Sequence, residues 1–386
     1  MSKIFDLINE LCPDGVEFRE LGEIADIEKG TQLNKSLLSK DGKYPVMNGG
    51  INPSGYWHEY SHDADMIVIS QGGASAGYVN WLDTRFFAGA HAFVINAKEK
   101  YILKRYAFHY LKRNQQNFMQ SQYGAGIPAL AKSELEKFKL PVPPMEVQRE
   151  IVRILDSFTL LTAELTAELT ARKKQYEFYR DFLLSFDELD KNGGGCELKM
   201  LGKIADYSSS RISFSALNEL NYVSVENLLQ DKAGKIPSKC VPSSGNWTKF
   251  ESGDILIGNI RPYLKKIWQA DCIGGASGDV LVLHLKDTSV NFRYLYQILA
   301  DDKFFNYDMK TAKGAKMPRG NKDLILEYKI PVPSLQTQQK VVDILDKFDT
   351  LVNSITEGLP REIELRRKQY EHYRELLLNF KPKMTA

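Results

Sequence analysis

The sequence is poor in the features that mark secreted, membrane and catalytic proteins. It has only four cysteines in 386 residues, Cys12, Cys196, Cys240 and Cys272, far apart and never as a CxxC pair. That leaves no disulfide framework and reads as free thiols in a reducing cytoplasm. No apolar run is long enough to span a bilayer, and no signal peptide is recognisable, so a cytoplasmic protein is expected. There is no G-x-x-x-x-G-K-[ST] loop for a nucleotide phosphate. The pairs Gly72-Gly73 and Gly274-Gly275 lack the G-x-G-x-x-G spacing and read as turns. Asn52-Pro-Ser-Gly55 only half resembles the Asn-Pro-Pro-aromatic loop of amino-methyltransferases, and Glu197-Leu-Lys199 has no second acid with which to build a nuclease site. His91, His109 and His284 have no Cys or Asp partner at fixed spacing and read as structural residues.

One motif is present in letters but not in context. His58-Glu-Tyr-Ser-His62 spells H-E-x-x-H, which binds zinc when a helix places both histidines on one face. Here it follows Asn52-Pro-Ser-Gly55 and runs into Asp63-Ala-Asp65 and a strand, so a polar turn is expected and no metal site.

Acidic residues are missing from two stretches. Lys100 to Ser133 holds six Lys or Arg and no Asp or Glu, including Lys112 and Arg113. Lys310 to Lys322 holds five, including Lys313, Lys316 and Arg319, again with no acid. The formal charge of the whole chain is only +2. A charge run is ordinarily a solvated face, but two such runs at equivalent places in a duplicated chain point to a polyanion.

What the chain does have is length in one element. From Met145 to Phe186 no Gly or Pro interrupts a pattern in which Ile151, Ile154, Leu155, Phe158, Leu161, Leu165 and Leu169 recur at spacings of three and four, one face of a helix. It could reach about 60 Å, too long for one globular core, so it needs a long partner. Its middle repeats Thr162-Ala-Glu-Leu165 as Thr166-Ala-Glu-Leu169. A second copy follows the second Pro-Val-Pro at 331–333. Ile344-Leu-Asp-Lys-Phe348 matches Ile154-Leu-Asp-Ser-Phe158, and Arg366-Arg-Lys-Gln-Tyr-Glu-His-Tyr-Arg374 matches Arg172-Lys-Lys-Gln-Tyr-Glu-Phe-Tyr-Arg180. Gly358 and Pro360 predict a kink in that second helix.

The duplication reaches further. Leu21-Gly-Glu-Ile-Ala-Asp26 matches Leu201-Gly-Lys-Ile-Ala-Asp206, and Gly124-Ala-Gly-Ile-Pro128 matches Gly314-Ala-Lys-Met-Pro318. The expected fold is therefore α+β. Two globular domains, 1–140 and 197–330, alternate with helical regions at 141–196 and 331–386, with Gly193–Gly195 as a flexible joint. Strands are predicted at 44–48, 66–70, 92–96, 255–258 and 280–285, and helices at 101–117 and 292–307. A compact domain has its termini close together, so the second long helix should start where the first stops and run back antiparallel. This predicts a rod with a domain at each end, related by a pseudo-two-fold axis. No catalytic or metal residues stand out. The residues suited to phosphates and base edges are Gln32, Asn34 and Lys35; Ser70 and Gln71; Arg211 after Ser208; and the loop carrying Asn259, Arg261, Tyr263, Lys265 and Lys266.

The Pro-Val-Pro entries, the Ile-Leu-Asp-x-Phe segments, the paired Lys-Gln-Tyr-Glu-x-Tyr-Arg ends and the Thr-Ala-Glu-Leu repeats resemble the specificity subunits of type I restriction–modification systems, over nearly the whole chain. The resemblance implies a non-catalytic, sequence-specific subunit. Its two target-recognition domains would each read half of a split double-stranded DNA site. Its helices would set the spacer and dock two modification (methyltransferase) subunits, and restriction (translocase–nuclease) subunits would join that core. No cofactor belongs to the chain itself; S-adenosylmethionine, ATP and Mg would serve the partners. Two other classes fit the residues less well. A helical scaffold with protein-binding end domains leaves the acid-free runs unexplained, and a metalloprotease would rest on His58 and His62 alone.

Overall fold

The computed structural model describes residues 2–120, 129–193, 195–354 and 356–383. The chain forms two compact units, Met1–Glu164 with Ile363–Ala386, and Leu165–Glu362. Each holds one globular domain and a share of the helices. The sequence match at Gly124–Pro128 lies outside the described residues.

In the first unit an antiparallel sheet runs in the order Ala25–Lys29, Ala92–Ala97, Met66–Ser70, Val79–Leu82. Its two central strands are apolar at nearly every position because both of their faces are covered. A smaller sheet pairs Tyr44–Met47 with Tyr56–Trp57 and, in parallel, with Phe87–Ala88. The Pro-Val-Pro segment enters as strand Lys139–Val142, whose one partner strand among the described residues is Glu17–Glu20. A proline is tolerated there because one edge needs no donor. The second unit repeats the plan: Ala205–Tyr207, Val280–Leu285, Ile255–Gly258, Ile267–Gln269 in one sheet, and Glu197–Met200 with Lys329–Val332 in the two-stranded pair. Its remaining sheet, Arg211–Ser213, Asn246–Phe250, Gly274–Ala276, Tyr222–Val223, corrects one expectation. Gly274-Gly275 is not a turn but a buried strand. A Cβ on Gly274 would stand 2.0 Å from the Asn221 carbonyl oxygen, so only glycine lets these backbones meet.

The long helix is continuous over Met145–Leu183. The expected joint after it is mostly helix as well. Phe186–Gly193 is helical, and Leu184 and Leu189 are buried in the second unit's core. The expected helices at 101–117 and 292–307 each divide in two, into Lys104–Arg113 with Gln115–Gln120 and Phe292–Leu299 with Asp302–Thr311. In the latter, the Asp301 side chain accepts from the Lys303 amide and starts a new helix. The C-terminal helix is broken as expected, into Leu335–Asn353 and Gly358–Leu377, with Gly358 at φ +76°.

Within the first unit the start of the long helix packs against the end of the last helix, Phe158 stacking on Tyr373 at 5.3 Å. Within the second, the end of the long helix packs against the Leu335–Asn353 helix, with Tyr176 and Tyr179 on Phe348. These pairings have the antiparallel sense that the duplication predicts.

Each domain is tied to its helices by the same polar latch. In the first unit Arg105 Nε and His109 Nε2 both hydrogen-bond Asp156 Oδ1 at 2.8 Å, and His109 Nδ1 lies 3.1 Å from the Tyr370 hydroxyl. In the second, Arg293 Nε and Gln297 Nε2 donate to Asp346 Oδ1 at 2.9 and 2.7 Å, and Gln297 Oε1 accepts from Arg180. Asp156 and Asp346 are the aspartates of the two Ile-Leu-Asp segments. Burial opposes ionisation of Asp156, but the hydrogen bonds from His109 and Arg105 prevail and hold its carboxyl below the usual range.

Among the described residues no helix is long and apolar enough to cross a membrane, and no group of three or more His, Cys, Asp or Glu is placed to hold a metal. All four cysteines are unpaired. His58 and His62 lie outside any helix, and His62 hydrogen-bonds Ser61 instead.

Candidate nucleic-acid interface

In the second unit the structure joins two segments that the sequence keeps some fifty residues apart. Strand Ile255–Gly258 ends in the buried core, and the chain turns out of it at Asn259. From there it is pinned, residue by residue, to the acid-free segment. The Arg261 amide donates to the Pro318 carbonyl at 2.7 Å, the Gly320 amide to the Asn259 carbonyl at 3.1 Å, and Ile260 bridges Arg319. Lys313 and Arg319 exchange a pair of backbone hydrogen bonds of 2.9 Å, so the basic segment is a tight hairpin. Arg261, Tyr263, Lys313, Lys316 and Arg319 are all exposed along this pairing. Arg319 is the one whose charge is partly answered, by Asp279 at 3.1 Å.

The turn itself is strained. Arg261 and Lys265, neither of them glycine, sit at φ +53° and +50°, a left-handed backbone that costs each about 1–2 kcal/mol. Pro262 between them starts a single 3-10 turn over Pro262–Leu264. Strain of this kind persists where surrounding contacts over-determine it. Here the Asp231 and Lys232 amides donate to the Leu264 and Lys265 carbonyls, and the Lys265 ammonium is 2.7 Å from Asp302. Lys266 is turned inward as well. Its ammonium donates to the Val225 carbonyl, and burial lowers its pKa. Lys265 and Lys266 thus hold the loop from behind, while Arg261 and Tyr263 face outward.

The first unit presents a partial counterpart. The Leu130 amide donates to the Gln71 carbonyl at 2.7 Å and Gly72 bridges Ala129, the same clasp one repeat earlier. Ser70 is only 2 % exposed, its hydroxyl near the Gly50 carbonyl, so it supports this turn rather than standing on the surface. Gln32, Asn34 and Lys35 are exposed on a separate loop, where Asn34 caps the short turn Lys35–Leu37. Gln32 and Lys35 line a cavity of about 370 Å³ with Asn48 and Ser54. Arg211 lies on the strand Arg211–Ser213, its guanidinium 3.1 Å from Thr248 Oγ1.

The other basic run is acid-free along the chain but not in space. Lys112 donates to the Val79 carbonyl at 2.7 Å and to Gln115 Oε1 at 2.8 Å, and lies over the Tyr78 ring. Burial, with Arg374 nearby, lowers its pKa to about 8. Arg113 pairs with Glu375 at 2.7 Å and donates to the Leu378 carbonyl. Both side chains are engaged inside the first unit, with partners that include Val79, 33 residues from Lys112, and Glu375 and Leu378, 262 and 265 residues from Arg113.

The second unit's part of the long helix carries exposed aromatic rings. Tyr176 packs on Phe348, while on the same helix Phe178 and Phe182 are 65 % and 45 % accessible and stacked parallel, and Tyr179 is 37 % accessible. Phe178 and Phe182 are four residues apart, so the helical period puts them on one face. The buried Asp308 beneath the basic hairpin left no signal in the sequence at all.

A model of the type I restriction modification DNA specificity domain matches residues 13–172 and 218–365. A putative type I restriction enzyme specificity subunit of Haemophilus influenzae is 34% identical, covering 95% of this chain and 96% of that protein. The EcoR124I/EcoR124II specificity subunit of Escherichia coli is 32% identical and covers 96% of both. The crystal structure of a type I restriction–modification S subunit from M. genitalium shares the fold, with a TM-score of 0.65 at 21% identity over 96% of this chain and 97% of that one. Matched by that model in both repeats and by these relatives over nearly its whole length, the chain belongs to the type I restriction–modification DNA specificity family.

Proposed function

We propose that the chain reads a bipartite double-stranded DNA sequence for a type I restriction–modification complex, one half-site per globular domain. As a specificity subunit it recognises DNA and is not itself an enzyme. The observation that carries the reading is the pairing of the Asn259–Lys266 loop with the Lys313–Arg319 hairpin. It presents guanidinium, phenol and ammonium groups together on a backbone that cannot relax. Arg261 offers bidentate donors to a guanine edge, Tyr263 a stacking or hydroxyl contact, and Lys313 and Lys316 phosphate anchors. In the first unit Gln32, Asn34, Lys35 and Gln71 are the corresponding readers. The long helices set the unread spacer and dock two modification subunits through faces such as Phe178 and Phe182, and restriction subunits join that core. Methyl transfer from S-adenosylmethionine, and ATP and Mg chemistry, belong to the partners.

The test is to map methylated sites in a host carrying the chain with modification subunits, before and after Arg261→Ala. The expected outcome is a split site in which only the second half-site is relaxed or lost. Uniform loss at both halves, or a site with no gap, overturns the reading.

A further inference from the structure

Beneath the proposed reading loop lies a cluster of oxygens with no donor. Asp308, on the Asp302–Thr311 helix, is wholly buried, and both its carboxyl oxygens lack a hydrogen-bond partner among the described residues. Asn259 is 6 % exposed, and its side-chain Oδ1 lacks one too. The two meet at Gly320. A Cβ there would be 2.3 Å from Asp308 Oδ1, 2.9 Å from Asp308 Oδ2 and 2.8 Å from Asn259 Oδ1. Only glycine can close the hairpin over this spot.

A buried carboxylate facing a carbonyl oxygen, with no cation or N–H to answer it, is the least tolerable arrangement of these groups. The charged side chains around the helix are engaged elsewhere or, like Lys310, Lys313 and Lys316, stand exposed in solvent. Lys265 pairs with Asp302, Arg319 with Asp279, and Arg293 with Asp346. The Tyr207 hydroxyl donates to the Lys322 carbonyl. Asp323, on the next helix, and Tyr263, exposed on the loop, bring no positive charge. The backbone amides of Asn259 and Gly320 are already donating, to the Asp279 and Asn259 carbonyls. Turning the Asn259 amide over would offer its Nδ2 to one oxygen of an ionised Asp308 and leave a buried charge with its other oxygen bare, whereas a proton on Asp308 removes the charge and supplies the missing donor.

We propose that Asp308 is held as a neutral carboxylic acid whose O–H donates to Asn259 Oδ1, making it the positioning residue that locks the reading loop and the basic hairpin in one geometry. This rests on the reading of that loop as a DNA contact. Burial pushes the Asp308 carboxyl up, to about 6. A folded value above the unfolded one means that, without DNA, the bond is complete at low pH and is lost as pH rises through about 6. The approach of DNA phosphates adds negative potential and favours the protonated form further. Among the described residues the first unit shows no such device. At the offset that aligns Pro128 with Pro318, the place of Asp308 is taken by the buried Phe118, while Gln71 Oε1 has no partner among the described residues.

The test uses the full chain bound to modification subunits, and compares affinity for the intact site with affinity for sites carrying one wrong base in either half. The ratio cancels uniform electrostatic effects. Asp308→Leu, Asn259→Leu and the double substitution should each lose about tenfold discrimination in the second half-site, the double no worse than either. Discrimination in the first half-site should be unchanged. Asp308→Asn, a permanent donor of nearly the same shape, should retain discrimination and make it independent of pH, where the native complex, its carboxyl raised further by the bound phosphates, loses it only on the alkaline side. Infrared difference spectra of the native chain without DNA against Asp308→Asn should show a carboxylic-acid C=O band that titrates near pH 6. Full discrimination in Asp308→Leu overturns the proposal. So does failure of Asp308→Asn to rescue, or a carboxyl that titrates in the ordinary aspartate range. If the complex shows no base discrimination in either half, the DNA reading itself falls, and the infrared band still decides the proton.

Discussion

His109→Gln should be nearly silent, whereas His109→Ala should open the first unit alone. The second unit already runs its latch with Gln297 at the equivalent position, donating from Nε2 to Asp346 and accepting at Oε1. A glutamine at 109 can serve Asp156 and the Tyr370 hydroxyl in the same way, at a cost of about 1 kcal/mol or less. Alanine removes both bonds. Asp156 keeps Arg105 and its side chain is 37% exposed, so water limits the loss at that end to under about 1 kcal/mol. The half-buried Tyr370 hydroxyl loses its acceptor, about 1–2 kcal/mol, and the vacated imidazole volume adds about 1 kcal/mol more. The expected total is about 3 kcal/mol, or roughly a hundredfold faster amide exchange by local opening. Hydrogen exchange read by mass spectrometry would follow Lys104–Arg113 and Gly358–Leu377, with Phe292–Leu299 as an internal control. The pH dependence has a defined sign. Burial lowers the His109 pKa below its ordinary value of 6.5, more than Asp156 raises it. The unfolded chain therefore takes up the proton first, and native protection in the first unit falls as pH drops below about 6.5. His109→Gln should lack that fall. The Asp156 contribution is lost only at lower pH, around its unfolded value of 3.8 and below. Equal damage from glutamine and alanine, or faster exchange in both units, would refute the latch.

Three further expectations concern DNA and partners. Replacing Lys313, Lys316 and Arg319 with glutamine should weaken binding to all sequences and flatten its salt dependence by about one unit per lost phosphate contact. Arg319 should contribute least because Asp279 already answers its charge, and an unchanged slope would show that the hairpin faces solvent. Phe178→Ser with Phe182→Ser should leave amide protection intact yet reduce capture of modification subunits in a pull-down or by light scattering; undiminished capture would remove these rings from the docking face. Deleting Thr166–Leu169 takes four residues from an unbroken helix, about 6 Å of rise and about 40° of rotation. The rotation corresponds to about one base pair at roughly 34°, so methylated sites should show a spacer one base pair shorter with unchanged half-sites, and an unchanged spacer would sink the ruler.

The sequence alone determined the features whose signals are local or repeated. Helical periodicity without Gly or Pro marked Met145–Leu183, Gly358 and Pro360 marked the break after Asn353, and apolar runs bounded by turn residues marked strands Met66–Ser70, Ile255–Gly258 and Val280–Leu285. The repeat itself revealed the α+β plan, because two copies of one pattern average out the accidents of either. Tertiary structure decided what depends on neighbours distant in sequence. Gly274-Gly275 became a strand because Asn221 and Phe250 close on it. The stretch after Leu183 became a helix because Leu189 found a core. Above all, charge along a chain is not charge in space. Lys112, Arg113, Lys265 and Lys266 read as a polyanion surface until the fold gave them Val79, Glu375, Asp302 and Val225. Arg261, Lys313 and Lys316 remained on the surface, because the hydrogen bonds that place them come from backbone and leave their side chains exposed.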